Sequence, residues 1–280
     1  MVYAELREAF GLLRRIPVLW VPGIVAGTLA AGLWLIHNSS GSYFASRLIL
    51  LCSLVVIFFL AGTFAVIRNG NGGIRELFAG GMNSFFRVLL PLLVIVFGVL
   101  LLVTLIIITF SFGGAQPNEE VIGVLFICFL VPVTLFSVFF DTAAVFEDRR
   151  VFDAIRRSIA LVTAQSARVL RFFIGCAVLI FCITFALMIV WEAALYDKLE
   201  PIMRYNETQM AAFTPDQLSG IIGADGTLIT AVCLFFGFLL LVPVLSCYKA
   251  CFFRSLTKGT ITVEQQTNGE YDSKGRWYKY

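Results

Sequence analysis

The chain has 280 residues, of which 59% are hydrophobic and 14% are charged, and its formal net charge is +3. A soluble globule of this composition would leave too much apolar surface in water, so the composition argues against a soluble protein and for a membrane domain. Nucleic acid is not expected as a partner, because no basic patch accompanies a recognition fold.

Six long apolar stretches follow one another along the chain, at residues 17–36, 48–67, 88–110, 121–145, 169–195 and 228–253. Each is close to the ~20 residues that a helix needs to cross a hydrocarbon core of ~30 Å. Because a backbone in lipid must satisfy its own hydrogen bonds, we expect these stretches to be helices. The predicted fold class is therefore all-α, a polytopic membrane protein with six transmembrane helices. We assign residues 1–256 to the six-span membrane domain and residues 257–280 to a polar cytoplasmic tail.

The basic residues are distributed unevenly among the connecting segments. Most of the 21 lysines and arginines lie before the first stretch, between the second and third, between the fourth and fifth, and after the sixth. By the positive-inside rule, this asymmetry predicts a multi-pass protein with both termini in the cytoplasm. A basic inner face also suits anionic lipid headgroups, at about 1 kcal/mol per residue. The same asymmetry is, however, the ordinary topology signal of such proteins.

One sequence pattern occurs three times. Residues 74–79 read Ile-Arg-Glu-Leu-Phe-Ala and residues 155–160 read Ile-Arg-Arg-Ser-Ile-Ala, and an Arg-Val-Leu triplet follows both at the same distance. Residues 6–11 match the opening of this pattern before the first stretch. The returning stretches correspond as well, since each has a helix-weakening residue near its middle. These residues are Gly62, Pro132 and Pro243. We therefore predict three repeats, each an interfacial helix followed by a helical hairpin.

The opening segment of each repeat is expected to form an amphipathic helix. Before the fifth stretch, apolar and basic residues follow helical spacing on opposite faces, as in a helix that lies among lipid headgroups. The alternative is a helix that simply continues a flanking span. Gly70, Gly72 and Gly73 break the chain before the second of these helices and favour a separate helix there. The arginines expected to contact lipid headgroups are Arg75, Arg87, Arg156, Arg157 and Arg168.

Two segments outside the apolar stretches have local structure signals. Thr214 and Gln217 form a capping-box pattern with Pro215 at the first helical position, which predicts a short external helix. In the tail, residues 260–263 alternate in polarity and the Asn-Gly pair that follows favours a turn, so a small hairpin is the alternative to disorder.

Asp141 is the leading candidate for a functional group at membrane depth, where burying a charge is costly. It is expected to be a cation or proton site, or a partner for Arg68 or Lys249, unless it lies at the inner interface. Pro132 and Pro243 bend their helices, and interrupted helices in repeated positions often line substrate paths in transporters. Purely structural kinks would explain the same prolines. Asp141, Pro132 and Pro243 thus make up the predicted transport or ion site.

No pattern in the sequence predicts an enzyme or a cofactor. Nucleophile, metal and phosphate-binding motifs are not found, and His37 has no ligand residues at metal-binding spacing. The seven cysteines lie within or beside the apolar stretches, so no disulfide framework is expected. Gly23, Gly27 and Ala31 form a stripe of small residues that predicts a helix-packing surface.

Residues 146–158 contain an acidic pair, followed by Ala154 and Ser158 four positions apart on a basic amphipathic segment. Together with the six-span layout, this motif resembles a prokaryotic six-span membrane protein family. That family includes the membrane domain attached to some glycerophosphodiester phosphodiesterases. The resemblance implies a helical membrane module in a prokaryotic cell membrane. It does not imply the phosphodiesterase activity, because the sequence contains no counterpart of that catalytic domain.

The leading functional hypothesis is a non-enzymatic membrane module that organises lipid or partner proteins through its basic interfacial helices. The expected partners are membrane lipids, with other membrane proteins or a second copy of the chain as further options. The alternative is a small transporter or channel with a path near Asp141 and the proline-kinked helices. A water-filled cavity beside Asp141 would favour transport. A closed apolar bundle with an exposed basic shelf at Arg156 and Arg157 would favour the scaffold.

Overall fold

The computed structural model describes residues 2–40, 42–70, 72–112, 119–203, 205–206, 215–267, 269–271 and 277–279. Its helices are α1 (Val2–Arg15), α2 (Val21–Ser40), α3 (Ser42–Asn69), α4 (Ile74–Phe112), α5 (Glu119–Ser137), α6 (Phe140–Phe146), α7 (Val151–Ala164), α8 (Ser166–Ala194), α9 (Tyr196–Met203) and α10 (Pro215–Thr267). A 3-10 turn, Pro17–Trp20, joins α1 to α2. Two short strands, β1 (Gly269–Tyr271) and β2 (Trp277–Lys279), pair antiparallel after α10.

Among the residues that the structure describes, six helical segments are long and apolar enough to cross a membrane, which confirms the predicted all-α, six-span fold class. They are Pro17–Ser39, Tyr43–Asn69, Ile74–Phe112, Val121–Phe146, Ser166–Ala194 and Gly220–Lys258. The fourth span consists of α5 and α6, which are separated by a short break. The chain is therefore a multi-pass membrane protein.

The last helix agrees with the prediction at its start and differs from it at its other end. At its start, α10 begins at Pro215, as the capping pattern predicted, although Thr214 lies outside the described residues. Gly223 then interrupts the helix with φ 61° and ψ −163°, a conformation that favours glycine. At its other end, α10 continues through residues 260–263, which are therefore neither disordered nor part of a hairpin, and the two strands pair further along. The helix has no break at residue 256, and the boundary between membrane domain and tail stays a prediction.

Two of the three expected interfacial helices are separate elements. α1 and α7 each have 14 residues and end before the span that follows. The separate second helix is wrong, because α4 runs without interruption from Ile74 to Phe112. Gly70 completes the turn after α3 with φ 75°, and the segment that follows contains no proline before Pro91. The second copy therefore adopts the alternative in which the amphipathic helix continues into its span.

The predicted repeat has a counterpart in the packing of the helices. The most extensive contacts join α10 to α2 and α3 to α4, and the fourth span contacts α7. Each returning span thus packs against the repeat that follows, and the last packs against the first. Ala9, Leu77 and Ser158 occupy the same place in the three sequence copies, and all three are fully buried. The three repeats therefore contact one another in order and close on the first, through span-to-span packing at two of the joints and through α7 at the third.

Buried side chains are concentrated at one end of the bundle. Five aromatic rings contact one another there, with ring centroids 4.7 Å apart in the stacked pair of Phe172 and Phe252, and Asp148 with its arginine partners Arg68 and Arg87 lies at the same end. The five rings belong to Phe139, Phe172, Tyr248, Phe252 and Phe253. We call this the basic end. Toward the opposite end, α4, α5 and α8 expose most of their apolar side chains.

The stripe of small residues on α2 is the packing surface that the sequence predicts. A Cβ atom added at Gly23 would lie 2.5 Å from the Leu239 carbonyl oxygen of α10, and one at Gly27 would lie 2.6 Å from the Phe235 carbonyl oxygen. Pro243 has no N–H to donate to the Leu239 carbonyl four residues earlier. The glycine therefore approaches a carbonyl that the proline has left without its helical partner. Pro243 is buried at this contact, and α10 continues through it.

We predict that Gly23→Ala destabilises the bundle by about 1–3 kcal/mol, because the new methyl group overlaps backbone and proline atoms of α10. Gly32→Ala is the matched control on the same helix, since a Cβ there meets no atom within 4 Å. Thermal unfolding in detergent micelles measures both effects. Equal unfolding temperatures for the two variants would contradict this packing contact.

Candidate functional site

Asp141 forms an ion pair between α6 and α10. Its Oδ2 atom lies 2.5 Å from the Lys249 Nζ atom, and the two side chains are 14% and 19% exposed. The Lys249 ammonium also lies 5.9 Å from the centroid of the Phe64 ring. Of the two partners that the sequence allows, the structure selects Lys249. The carboxylate charge is balanced within the bundle by this lysine.

The break in the fourth span positions Asp141, and the break is made by a side chain from another helix. The Phe139 N–H donates a hydrogen bond of 3.0 Å to Ser158 Oγ, and the Ser158 hydroxyl donates one of 2.7 Å to the Phe136 carbonyl. The Thr142 hydroxyl donates to the Phe139 carbonyl at 3.0 Å. Backbone groups that a straight helix would pair internally are therefore satisfied by α7 and by the first turn of α6.

Sequence reasoning did not identify Ser158 as the residue that makes this break. The signal was its position in the repeat, where the other two copies have the apolar residues Ala9 and Leu77. A hydroxyl in a row of buried apolar anchors indicates a polar group that needs a partner. In this structure the partners are the two backbone groups of the interrupted span.

Pro132 and Pro243 lie apart from the Asp141 pair. Pro132 is inside the continuous helix α5 and is exposed, whereas Pro243 is buried against α2. The structure therefore does not bring together the three residues of the predicted transport or ion site.

The loop between α6 and α7 is held by arginines on neighbouring elements. Arg68 donates to the Asp148 carboxylate at 2.5 Å and to the Val145 carbonyl at 2.7 Å, and Arg87 donates to the other Asp148 oxygen. The hydrogen bond from Arg68 holds the pKa of the Asp148 carboxyl below its usual range, although desolvation opposes this shift. Because the folded-state pKa is lowered, the stabilisation from Asp148 is present at neutral pH and is lost as the pH falls through that lowered value.

The five arginines predicted to contact lipid headgroups fall into two groups. Arg87, Arg157 and Arg168 hold the fold together: Arg157 donates to Glu147 at 3.1 Å, and Arg168 donates to Gln165 at 2.8 Å. Arg75 and Arg156 are exposed, and within the described part of the chain neither forms a hydrogen bond or an ion pair. These two remain available for a ligand.

A cavity of about 360 Å³ lies between α4 and α5. Apolar side chains line most of it, and Lys249 lines it from α10. The hydroxyls of Thr134 and Ser137 also border this cavity, but both donate to carbonyls of their own helix. The cavity is therefore mostly apolar, and Lys249 of the Asp141–Lys249 pair forms part of its wall.

A second cavity, of about 380 Å³, lies between α8 and α10. The polar part of its lining includes Trp191 and Thr230, where the indole N–H donates a hydrogen bond of 2.8 Å to the threonine hydroxyl. The rest of its lining is almost entirely apolar. The basic end of the bundle differs, because the aromatic rings of the core fill its interior.

Two buried oxygen atoms have no hydrogen-bond partner in the described part of the structure. They are Oε2 of Glu5 on α1 and the hydroxyl oxygen of Tyr248 on α10, and these two helices pack together. Sequence reasoning did not single out Glu5, because it lies in an amphipathic helix beside exposed charged residues. Its burial depends on the contact with α10, which no local pattern reveals.

Comparison with known protein families, with curated proteins and with solved structures finds no match for this chain. The likeness of residues 146–158 to a six-span family therefore stays a prediction from the motif. The structure nevertheless explains the motif physically. Its acidic pair binds Arg68 and Arg157, and its small residues Ala154 and Ser158 are fully buried.

We predict that Asp141→Leu and Lys249→Met each destabilise the protein by about 3–5 kcal/mol, because each leaves a buried charge without its partner. The double variant should recover most of that loss, since an apolar pair of similar size replaces the ion pair. Denaturant titration in micelles gives the coupling between the two positions.

Lys198→Met serves as the control for this pair, because the partner of Lys198, Asp225, is 84% exposed. Such an exposed pair contributes up to about 1 kcal/mol. If the losses of the two core variants simply added in the double variant, the Asp141–Lys249 pair would have no energetic role.

Proposed function

We propose that this protein is a non-enzymatic module of a prokaryotic cell membrane that organises lipid or partner proteins, with its basic end and both termini in the cytoplasm. The observation that carries the proposal is the contrast at the basic end. The interior there is filled by packed aromatic rings, while Arg75 and Arg156 stay exposed on the surface. A bundle that is closed at this end and basic around it fits a scaffold.

The distribution of charge supports the orientation. Among the described residues, most lysines and arginines belong to segments at the basic end, as the positive-inside rule requires for a cytoplasmic face. Exposed apolar side chains lie beside the exposed arginines, as Ile74 does next to Arg75. This combination suits the boundary between headgroups and acyl chains of an anionic leaflet.

A small transporter is the second candidate, and one observation favours it. Lys249 belongs to a buried ion pair and also lines the cavity between α4 and α5. A charged pair beside a cavity at membrane depth is a frequent feature of ion and proton pathways. Transport would require the aromatic core at the basic end to open, since Phe139, Phe252 and Phe253 are packed there.

The scaffold proposal predicts a selected lipid shell around the protein. When membranes are solubilised directly into polymer-bounded discs, anionic phospholipid should be enriched around the protein relative to the bulk membrane. Changing Arg75 and Arg156 together to glutamine should lower that enrichment, at about 1 kcal/mol per arginine. Lipid mass spectrometry of the discs measures it.

The control changes the same number of charges at the opposite end. Arg47→Gln combined with Lys198→Gln should leave the lipid enrichment at its wild-type level. A wild-type lipid shell of bulk composition would count against lipid organisation. Solute flux into vesicles that contain the purified protein would instead support the transporter.

A further inference from the structure

The three repeats present the same surface at equivalent positions of their amphipathic helices. Arg7, Arg75 and Arg156 match in the sequence pattern, and all three are exposed. The residues two positions later are the fully buried anchors. The residues three positions later are apolar and similarly exposed: Phe10 at 49%, Phe78 at 46% and Ile159 at 42%.

Helix geometry explains why these positions form a unit. Residues three positions apart are neighbours on a helix surface, so each arginine lies beside the exposed apolar side chain. The anchor, two positions after the arginine, points about 200° around the helix, toward the core. Each amphipathic helix therefore buries its anchor and presents an arginine and an apolar side chain together on its outer surface.

The three arginines are not used by the fold. In the part of the chain that the structure describes, Arg7, Arg75 and Arg156 form no hydrogen bond, ion pair or ring contact. On α4 and α7, by contrast, Arg87 and Arg157 are engaged with carboxylates. The guanidinium N–H donors of these three arginines are therefore available to a ligand outside the chain.

The surface around Arg7 contains a second arginine. Arg7, Glu8, Gly11 and Arg15 lie along one face of α1. A Cβ at Gly11 would meet no atom within 4 Å, so the space there is open. A ligand with a negative group could approach both arginines along this face.

We infer that Arg7, Arg75 and Arg156 are three equivalent contact points for anionic phospholipids, one on each repeat. The guanidinium groups bind the phosphodiester oxygens, for which their planar pair of N–H donors is well suited. The neighbouring Phe10, Phe78 and Ile159 side chains contact the upper part of the acyl chains. The inference rests on the proposed function for the orientation of the basic end. It adds Arg7 to the binding residues and sets the number of sites at three.

A phospholipid fits this surface better than a single protein partner, for a geometrical reason. The three arginines lie on three separate elements, α1, α4 and α7, and each element belongs to a different repeat. Each site pairs one cation with one apolar side chain, which matches the charge and the amphipathic character of one lipid molecule. Such sites are filled independently by molecules from the surrounding leaflet.

Native mass spectrometry of the purified full chain tests the stoichiometry. The protein is taken from vesicles of phosphatidylglycerol in phosphatidylcholine, and the retained phosphatidylglycerol molecules are counted. The wild type should retain three, each single variant Arg7→Gln, Arg75→Gln or Arg156→Gln should retain two, and the triple variant none. Binding to each changed site should weaken about fivefold per arginine.

Arg150→Gln is the matched control, because Arg150 is exposed at the same end but lies outside the repeated pattern. This variant should retain three lipids. If the wild type retains no phosphatidylglycerol, the lipid role itself is wrong. If the wild type retains it, but Arg7→Gln loses none or Arg150→Gln loses as much as the others, the three-site inference alone is overturned.

Discussion

The hydroxyl of Ser158 joins α7 to the fourth span at the point where that span is interrupted. Unpaired backbone groups at membrane depth cost several kcal/mol each, so a break in a span needs partners from elsewhere. Ser158 supplies an acceptor for the Phe139 N–H and a donor for the Phe136 carbonyl. Because these groups are satisfied, the chain can bend between α5 and α6. The bend brings Asp141 to Lys249 and places the following loop against Arg68.

The bundle is tightly packed at one end and loosely packed at the other, and the two ends also differ in chemistry. At the basic end, apolar anchors and aromatic rings fill the interior, and ion pairs hold the connecting loop. Outside this core, the cavities beside α4 and α8 are mostly apolar, and the helices expose wide apolar faces toward the opposite end. A structure of this kind meets lipid along most of its length and offers polar recognition at one face. That is the arrangement expected of a module that acts on the leaflet around it.

The sequence predicts the spans, the repeat and the α2 packing surface, because each depends on composition or on spacing along one helix. It does not predict where the fourth span breaks. Pro132 is the local signal for a kink, yet the break lies closer to Asp141 and is made by Ser158, a residue on another helix. The sequence does not predict which residue pairs with Asp141 for the same reason, because the bend determines whether the carboxylate contacts Arg68 or Lys249. The continuous α4 also differs from the prediction of a separate helix. Because Gly70 completes the turn before the helix begins, it does not interrupt α4.

The orientation of the basic end is the central claim, since both the scaffold and its lipid sites require that end to face the cytoplasm. Single cysteines at Arg156 and at Asn206, introduced into a cysteine-free variant, test it in intact cells with a membrane-impermeant thiol reagent. Both positions are exposed. We expect the cysteine at 206 to be labelled in intact cells and the cysteine at 156 to be labelled only after the cells are opened. Labelling of both positions in intact cells would contradict it.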